Sequence, residues 1–155
     1  MLRRQTAEPF SRHTGLVPAV DPALAEQHLG RFSGMTYREA QEDPAYESDV
    51  RKRWLWQPDG GGESYADVAE RVKGFFKKME TAVPAGNEDH SGFLIVTHAV
   101  TMRLIRGLLE DTLPDYPVPI ANIGEIWKVD FESTGKIHRI ESFFYGNSRN
   151  MVHQP

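Results

Sequence analysis

Residues 92–109 read Gly92-Phe93-Leu94-Ile95-Val96-Thr97-His98-Ala99-Val100-Thr101-Met102-Arg103-Leu104-Ile105-Arg106-Gly107-Leu108-Leu109. The run from Phe93 to Thr97 is short and nearly continuous in apolar character, the pattern of a strand buried on both faces of an α/β sheet. From Met102 onward the apolar positions 102, 104, 105, 108 and 109 fall at helical spacing. His98 therefore stands at a strand-to-helix turn, where open α/β sheets bind their ligands. The helix end beside it offers unpaired N–H groups and partial positive charge, which suits a phosphate. A packed or surface histidine is the plain alternative. Arg103, five residues on, either adds cationic charge to that site or lies on the helix surface.

Working outward, Ser64-Tyr65-Ala66-Asp67 is a carboxylate form of the capping box. It opens a helix predicted over 65–80, with Val68, Val72, Phe75, Phe76 and Met79 on one stripe. Thr36-Tyr37-Arg38-Glu39 is a second capping box, opening a short helix that stops before Pro44, and residues 45–55 read as another. Residues 3–13 have helical character, with Pro9 lacking the N–H that would reach Gln5 and bending the segment. Residues 125–131 and 136–144 flank Glu132-Ser133-Thr134-Gly135, the pattern of a β-hairpin. Residues from Gly146 onward read as a tail. Proline- and glycine-rich stretches at 16–22, 57–62 and 113–119 punctuate the chain, and none is long enough to link independent domains.

The 155 residues, 39% hydrophobic and 26% charged, describe one globular domain. A chain of this size buries about two thirds of its unfolded surface. Lys and Arg number 18 against 22 Asp and Glu, a net charge of -4, which speaks against phosphate-backbone binding and so against a nucleic-acid partner. The absence of cysteine excludes disulfides, a thiolate nucleophile and Cys-ligated metal. No apolar run approaches the roughly 20 residues of a membrane span. The first residues lack the apolar core of a secretory signal, so a cytoplasmic location is expected.

Several other residues carry candidate chemistry. Glu26, between a proline-rich loop and Gly30, is a carboxyl that could serve as a general acid. Gly60-Gly61-Gly62-Glu63-Ser64 either cradles an anion or forms a flexible turn capped by Ser64, and it lacks the Gly-Lys-Ser/Thr ending of a triphosphate loop. The six histidines show no metal-ligand spacing. Arg51-Lys52-Arg53 beside Trp54 and Trp56 reads as a solvated helix face rather than a nucleic-acid patch.

In their order along the chain these motifs resemble the histidine phosphatase superfamily, the phosphoglycerate mutase-like group. Arg3-Arg4-Gln5-Thr6-Ala7-Glu8 resembles that family's Arg-Ala-x-Gln-Thr-Ala segment, and Leu24 to Gly34 its Leu-x-Glu-x-x-x-Gly-x-x-x-Gly segment. Gly61-Gly62-Glu63-Ser64 matches its Gly-Gly-Glu-Ser loop, and Ile95 to Arg103 resembles the strand that bears its second histidine. Asn122 matches a common polar position. The likeness runs from residue 2 to about 131.

The resemblance implies a three-layer α/β/α fold with a mixed sheet, spanning residues 1–145 as one domain with a tail at 146–155. It implies phosphoryl transfer through a phosphohistidine, with no metal or cofactor, on a small phosphorylated substrate. His98 is then the electrostatic stabiliser and Glu26 the proton donor, with Glu63, Ser64 and Asn122 on the pocket rim. Family members begin with a strand ending in Arg-His-Gly, whose histidine is the nucleophile. No Arg-His-Gly occurs in the 155 residues, so the expectation is a chain lacking both that central strand and the nucleophile. Arg12-His13 is no substitute, because Glu8-Pro9-Phe10-Ser11 cannot form a buried strand. Alignment on Thr6 puts Leu2 in the phosphate-binding slot, leaving Arg3 as the nearest cation. Ala99 stands where the family has glycine, adding a Cβ beside the pocket.

A phosphoglycerate mutase and a non-catalytic remnant that binds phosphorylated ligands are the alternative readings. The unpaired edge at 93–97 would also invite self-association. The purified 155-residue chain is expected to show no turnover of p-nitrophenyl phosphate or 3-phosphoglycerate. Metal-independent turnover abolished by His98→Ala would overturn that expectation.

Overall fold

The computed structural model describes residues 2–82 and 92–143, and the side chains of 5–81 and 92–143. Within them lie the helices α1 (Leu2–Thr14), α2 (Tyr37–Gln41), α3 (Tyr65–Ala82) and α4 (Ala99–Leu109), followed by strands β1 (Ile126–Val129) and β2 (Ile140–Phe143). The tail at 146–155 and the domain boundary at 145 fall outside the described residues.

Local chemistry accounts for the helix starts. The Ser64 hydroxyl accepts the Asp67 N–H at 3.2 Å, and the Asp67 carboxylate accepts the Ser64 N–H at 2.8 Å, so the predicted box opens α3. Thr36 and Glu39 open α2 in the same reciprocal way. Helix α1 runs through Pro9 without interruption. The helix predicted over 45–55 is reduced to a 3-10 turn, Val50–Lys52. Asp49 supplies the reason, because its side chain accepts the Arg51 N–H in a local turn that competes with an α-helix.

Helix α3 packs on α4. Tyr65, Val68, Val72 and Phe76 face Leu104, Ile105, Leu108 and Leu109 in the buried core, joined by Val50. Burying each such side chain contributes about 1.5–3 kcal/mol. β1 and β2 pair antiparallel with Val129 opposite Ile140, so the hairpin is present but its connection is longer than the tetrapeptide 132–135. Phe131 packs against Phe76 with ring centroids 5.1 Å apart, and the His138 N–H donates to the Leu109 carbonyl at 2.7 Å. These two contacts hang the hairpin on the helix pair.

Four sequence expectations differ from what the described residues show. Residues 93–97 form no strand pairing among the described residues, and Phe93 and Leu94 are 56% and 60% exposed rather than buried on both faces. A strand needs a neighbour to satisfy its N–H and C=O groups, and no described strand lies beside this one. The described sheet is therefore a two-stranded antiparallel pair within a mixed α/β chain, not a mixed central sheet. Arg103 is buried rather than on the surface, its Nη1 donating to the Tyr65 hydroxyl at 2.8 Å and its Nη2 to the Val118 carbonyl at 2.6 Å. Arg53 is likewise buried, 4.7 Å above the Tyr46 ring, with Nε donating to the Glu47 carbonyl.

Among the described residues no helix is long and apolar enough to cross a membrane. The run 93–97, exposed at Phe93 and Leu94 and without a strand partner among the described residues, is expected to recruit a second copy of the chain by edge pairing. Light scattering is expected to give a mass above the 17.6 kDa of one chain. A compact monomer with strongly protected Leu94 to Val96 amides would contradict this.

Candidate active site

Glu26 follows a 3-10 turn, Pro22–Leu24, that Asp21 caps by accepting the Ala23 N–H at 2.8 Å. The chain then crosses the N-terminal end of α4 and is bonded to it at each step. The Thr97 hydroxyl donates to the Leu24 carbonyl at 2.8 Å, and the Thr101 hydroxyl donates to the Ala25 carbonyl at 2.6 Å. The Glu26 carboxylate accepts the Val100 N–H at 3.3 Å and the Thr101 N–H at 3.2 Å. Those amides belong to the first turn of α4, which has no intrahelical partner for them and carries partial positive charge. The helix end that the sequence offered to a phosphate is thus held by a carboxylate of the same chain.

His98 is the N-cap residue of α4, with extended backbone angles φ −119° and ψ 171°. Its side chain and Glu26 line one open cavity of about 730 Å³, shared with His28, Glu63, Arg71 and Lys78. Two predicted catalytic residues separated by 71 positions therefore meet at one surface.

The far wall is the glycine loop. The Glu63 N–H donates to the His28 carbonyl at 2.8 Å, and the Arg31 N–H donates to the Asp59 carbonyl at 2.8 Å. Gly30 permits this approach, because it has φ +54° and a Cβ there would lie 2.0 Å from the Asp59 oxygen. Gly62 is similarly tight against Pro58. The loop thus packs against the Glu26 segment instead of standing free to cradle an anion.

Glu63 points its carboxylate at Arg71, with Oε1 2.8 Å from Nε and Oε2 3.1 Å from Nη2, and also accepts the His28 N–H at 2.9 Å. Burial works against its charge, yet the Arg71 guanidinium and the His28 amide together hold the carboxyl below the ordinary Glu range. Ser64 is buried and spends its hydroxyl on the α3 cap. Asn122 donates from both backbone and side chain to the Glu125 carboxylate, where it shapes the entry to β1 and does not line the cavity. Arg3 lies in the first turn of α1, and its side chain is outside the described residues. Arg12 and His13 occupy the exposed last turn of α1. Among the described residues no group of three or more His, Asp or Glu side chains could hold a metal ion.

Arg71 was missed by the sequence reading. One signal was present: it lies three residues after Val68 and one before Val72, so a charge interrupts the apolar stripe of α3. A charge on a core-facing stripe requires a partner, and that partner is Glu63.

A family model for the histidine phosphatase superfamily (branch 1) matches residues 3–138. A glucosyl-3-phosphoglycerate phosphatase of Mycobacterium tuberculosis is 32% identical over 123 residues, covering 75% of this chain and 55% of that protein. A bifunctional protein of the same organism is 31% identical over 110 residues, covering 68% of this chain and 28% of its own length. Among solved structures, a mycobacterial glucosyl-3-phosphoglycerate phosphatase in complex with inorganic phosphate superposes with a TM-score of 0.65 at 25% identity, over 90% of this chain and 70% of that one. The chain spans about half the length of the first of these curated relatives.

The lowered Glu63 carboxyl ties the loop clamp to pH. A carboxyl depressed on folding adds stability above the ordinary value of about 4.3, and that stability is lost as the pH falls through the lower folded value. At pH 7 Glu63→Gln is expected to cost about 1.5–3 kcal/mol, the worth of a hydrogen bond to a charged group. Urea unfolding of both proteins at pH 7 and near pH 3 checks this, with the difference shrinking in acid. An equal difference at both values would contradict it.

Proposed function

Because the chain belongs to the histidine phosphatase superfamily (branch 1), we propose that it serves a phosphatase acting on a small phosphorylated sugar or sugar acid, with Glu26 as the proton donor. The observation that carries this reading is the cavity at the N-terminal end of α4, which Glu26 and His98 both line. The phosphatase relatives, named for glucosyl-3-phosphoglycerate, support a substrate of that chemical class.

In the proposed reaction a histidine nitrogen attacks phosphorus and the bond from phosphorus to the leaving oxygen breaks. The Glu26 carboxyl gives its proton to that oxygen, so the product leaves as an alcohol. Water then attacks the phosphohistidine, passing a proton to the Glu26 carboxylate and releasing inorganic phosphate. His98 stabilises the negative charge of the transferring phosphoryl group in both steps. The nucleophilic histidine of an Arg-His-Gly strand is not among these 155 residues.

The test joins such a strand ahead of residue 2 and compares Glu26→Gln with the parent. Turnover of an alkyl phosphate should fall about 10²–10⁴-fold with little change in substrate affinity. A leaving group of low pKa should mask the defect, since it departs without a proton. Equal losses on both kinds of substrate would remove Glu26 from the acid role. Conversion of 3-phosphoglycerate to its 2-isomer would favour a mutase instead.

A further inference from the structure

We propose that Arg71 is the positioning residue for Glu26, and that Glu63 serves this purpose rather than touching substrate. The proposal rests on the reading of Glu26 as proton donor. Arg71 projects from α3 and makes four hydrogen bonds to three separate places. Nη1 donates to the Ala23 carbonyl at 2.7 Å, and Nη2 donates to the Glu26 carbonyl at 3.2 Å. Nε and Nη2 grip the two oxygens of Glu63.

Glu63 in turn accepts the His28 N–H at 2.9 Å. The backbone is therefore fixed at 23, 26 and 28, before, at and after the residue whose side chain would carry the proton. Arg71 and Glu63 are only 19% and 27% exposed in their side chains, so water screens the pair weakly. The Glu26 backbone is thus referenced to α3, while its carboxylate is referenced to α4 through Val100 and Thr101.

This arrangement needs a planar fork. Lysine carries the same charge but has one nitrogen, which cannot span a carboxylate and two carbonyls at once. A role that depended on charge alone, or on general stability, would be rescued by Arg71→Lys. A positioning role would not.

The experiment uses the 155-residue chain and needs no turnover. Amide exchange is followed at Val100 and Thr101, whose N–H groups the Glu26 carboxylate accepts, and the chemical shift of the Glu26 carboxyl carbon is recorded at a single pH. Arg71→Met is expected to speed exchange at those two amides about tenfold or more beyond any change at core amides such as Val72 and Leu108. The Glu26 carboxyl carbon resonance should move, and Arg71→Lys should behave like Arg71→Met. Glu63→Gln, a milder change, should shift both readouts in the same direction by less, and it stands in if Arg71→Met does not fold. Parent-like exchange at Val100 and Thr101 in Arg71→Met, or full restoration in Arg71→Lys, overturns the proposal. These readouts report where Glu26 sits, so they separate this proposal from the acid role, which the leaving-group comparison decides alone.

Discussion

Helices α3 and α4 press their apolar stripes together, and the remaining described elements take their places from that contact. Tyr65 is wholly buried at the seam, where its hydroxyl accepts from Arg103 of α4 and its ring meets Tyr116 edge-on at 5.0 Å. Tyr116 stacks on Trp54 and donates its hydroxyl to the Val50 carbonyl at 2.5 Å. One aromatic column thus joins the start of α3, the 3-10 turn at Val50–Lys52 and the proline-rich loop after α4. The hairpin attaches at the other end through Phe131 and Phe76. Because the seam fixes how α3 and α4 lie, it also fixes the separation between Arg71 on one and the first amides of the other.

The site is assembled in the space left between those two reference points. Arg71 and Lys78 reach it from α3, whereas Glu26, His28 and Glu63 all come from irregular segments. Such segments are ordered only when their polar backbone groups find partners. Here the partners are the helix side chains Arg71 and Thr101 and that of Thr97 just ahead of α4, together with amides of the facing loop. Buried and half-buried arginines recur as organisers in this chain. Arg53 holds the Glu47 carbonyl from within an aromatic cluster, Arg71 holds the 23–26 turn, and Arg103 holds Val118. Arg53 and Arg103 donate to carbonyls, Arg103 also to a hydroxyl, and both lie over aromatic rings, so each guanidinium serves as a multi-pronged donor.

Features written in short-range chemistry were readable from sequence. The two capping boxes, the stripe of α3, the hairpin and the helix after His98 each depend on residues within a few positions of one another, and each appears in the structure. Features that depend on partners far along the chain were not readable. Phe93 to Val96 is apolar enough for a buried strand, yet strand formation is a property of a pair, and composition alone does not supply the neighbour. Arg53 and Arg103 look like surface charges until Tyr46, 7 residues from Arg53, and Tyr65, 38 residues from Arg103, are brought against them. For the site, Glu26, His98 and Glu63 were identified by their motifs and do share a cavity. Ser64 and Asn122 were drawn toward it by the same motifs, while their polar groups are engaged in caps and turns instead.

The pairing of segments 27–31 and 59–63 has a consequence for how this chain can change in length. The two segments are bonded rung by rung, Glu63 to His28 and Arg31 to Asp59, with Gln27 reaching the Glu63 carbonyl at 2.7 Å. Gly30, against Asp59 and Gly62, and Gly60, against Arg31, mark the places where the backbones nearly touch. Inserting or deleting one residue in either segment would slide every rung by one step and set a side chain where only a hydrogen fits. Length variation is therefore confined to paired changes in both segments or to places outside them. The turn between β1 and β2 is one such place, since its ends are joined by strand pairing that a longer loop would leave intact. Relatives that differ in size should carry their extra residues there before they carry them beside Glu26.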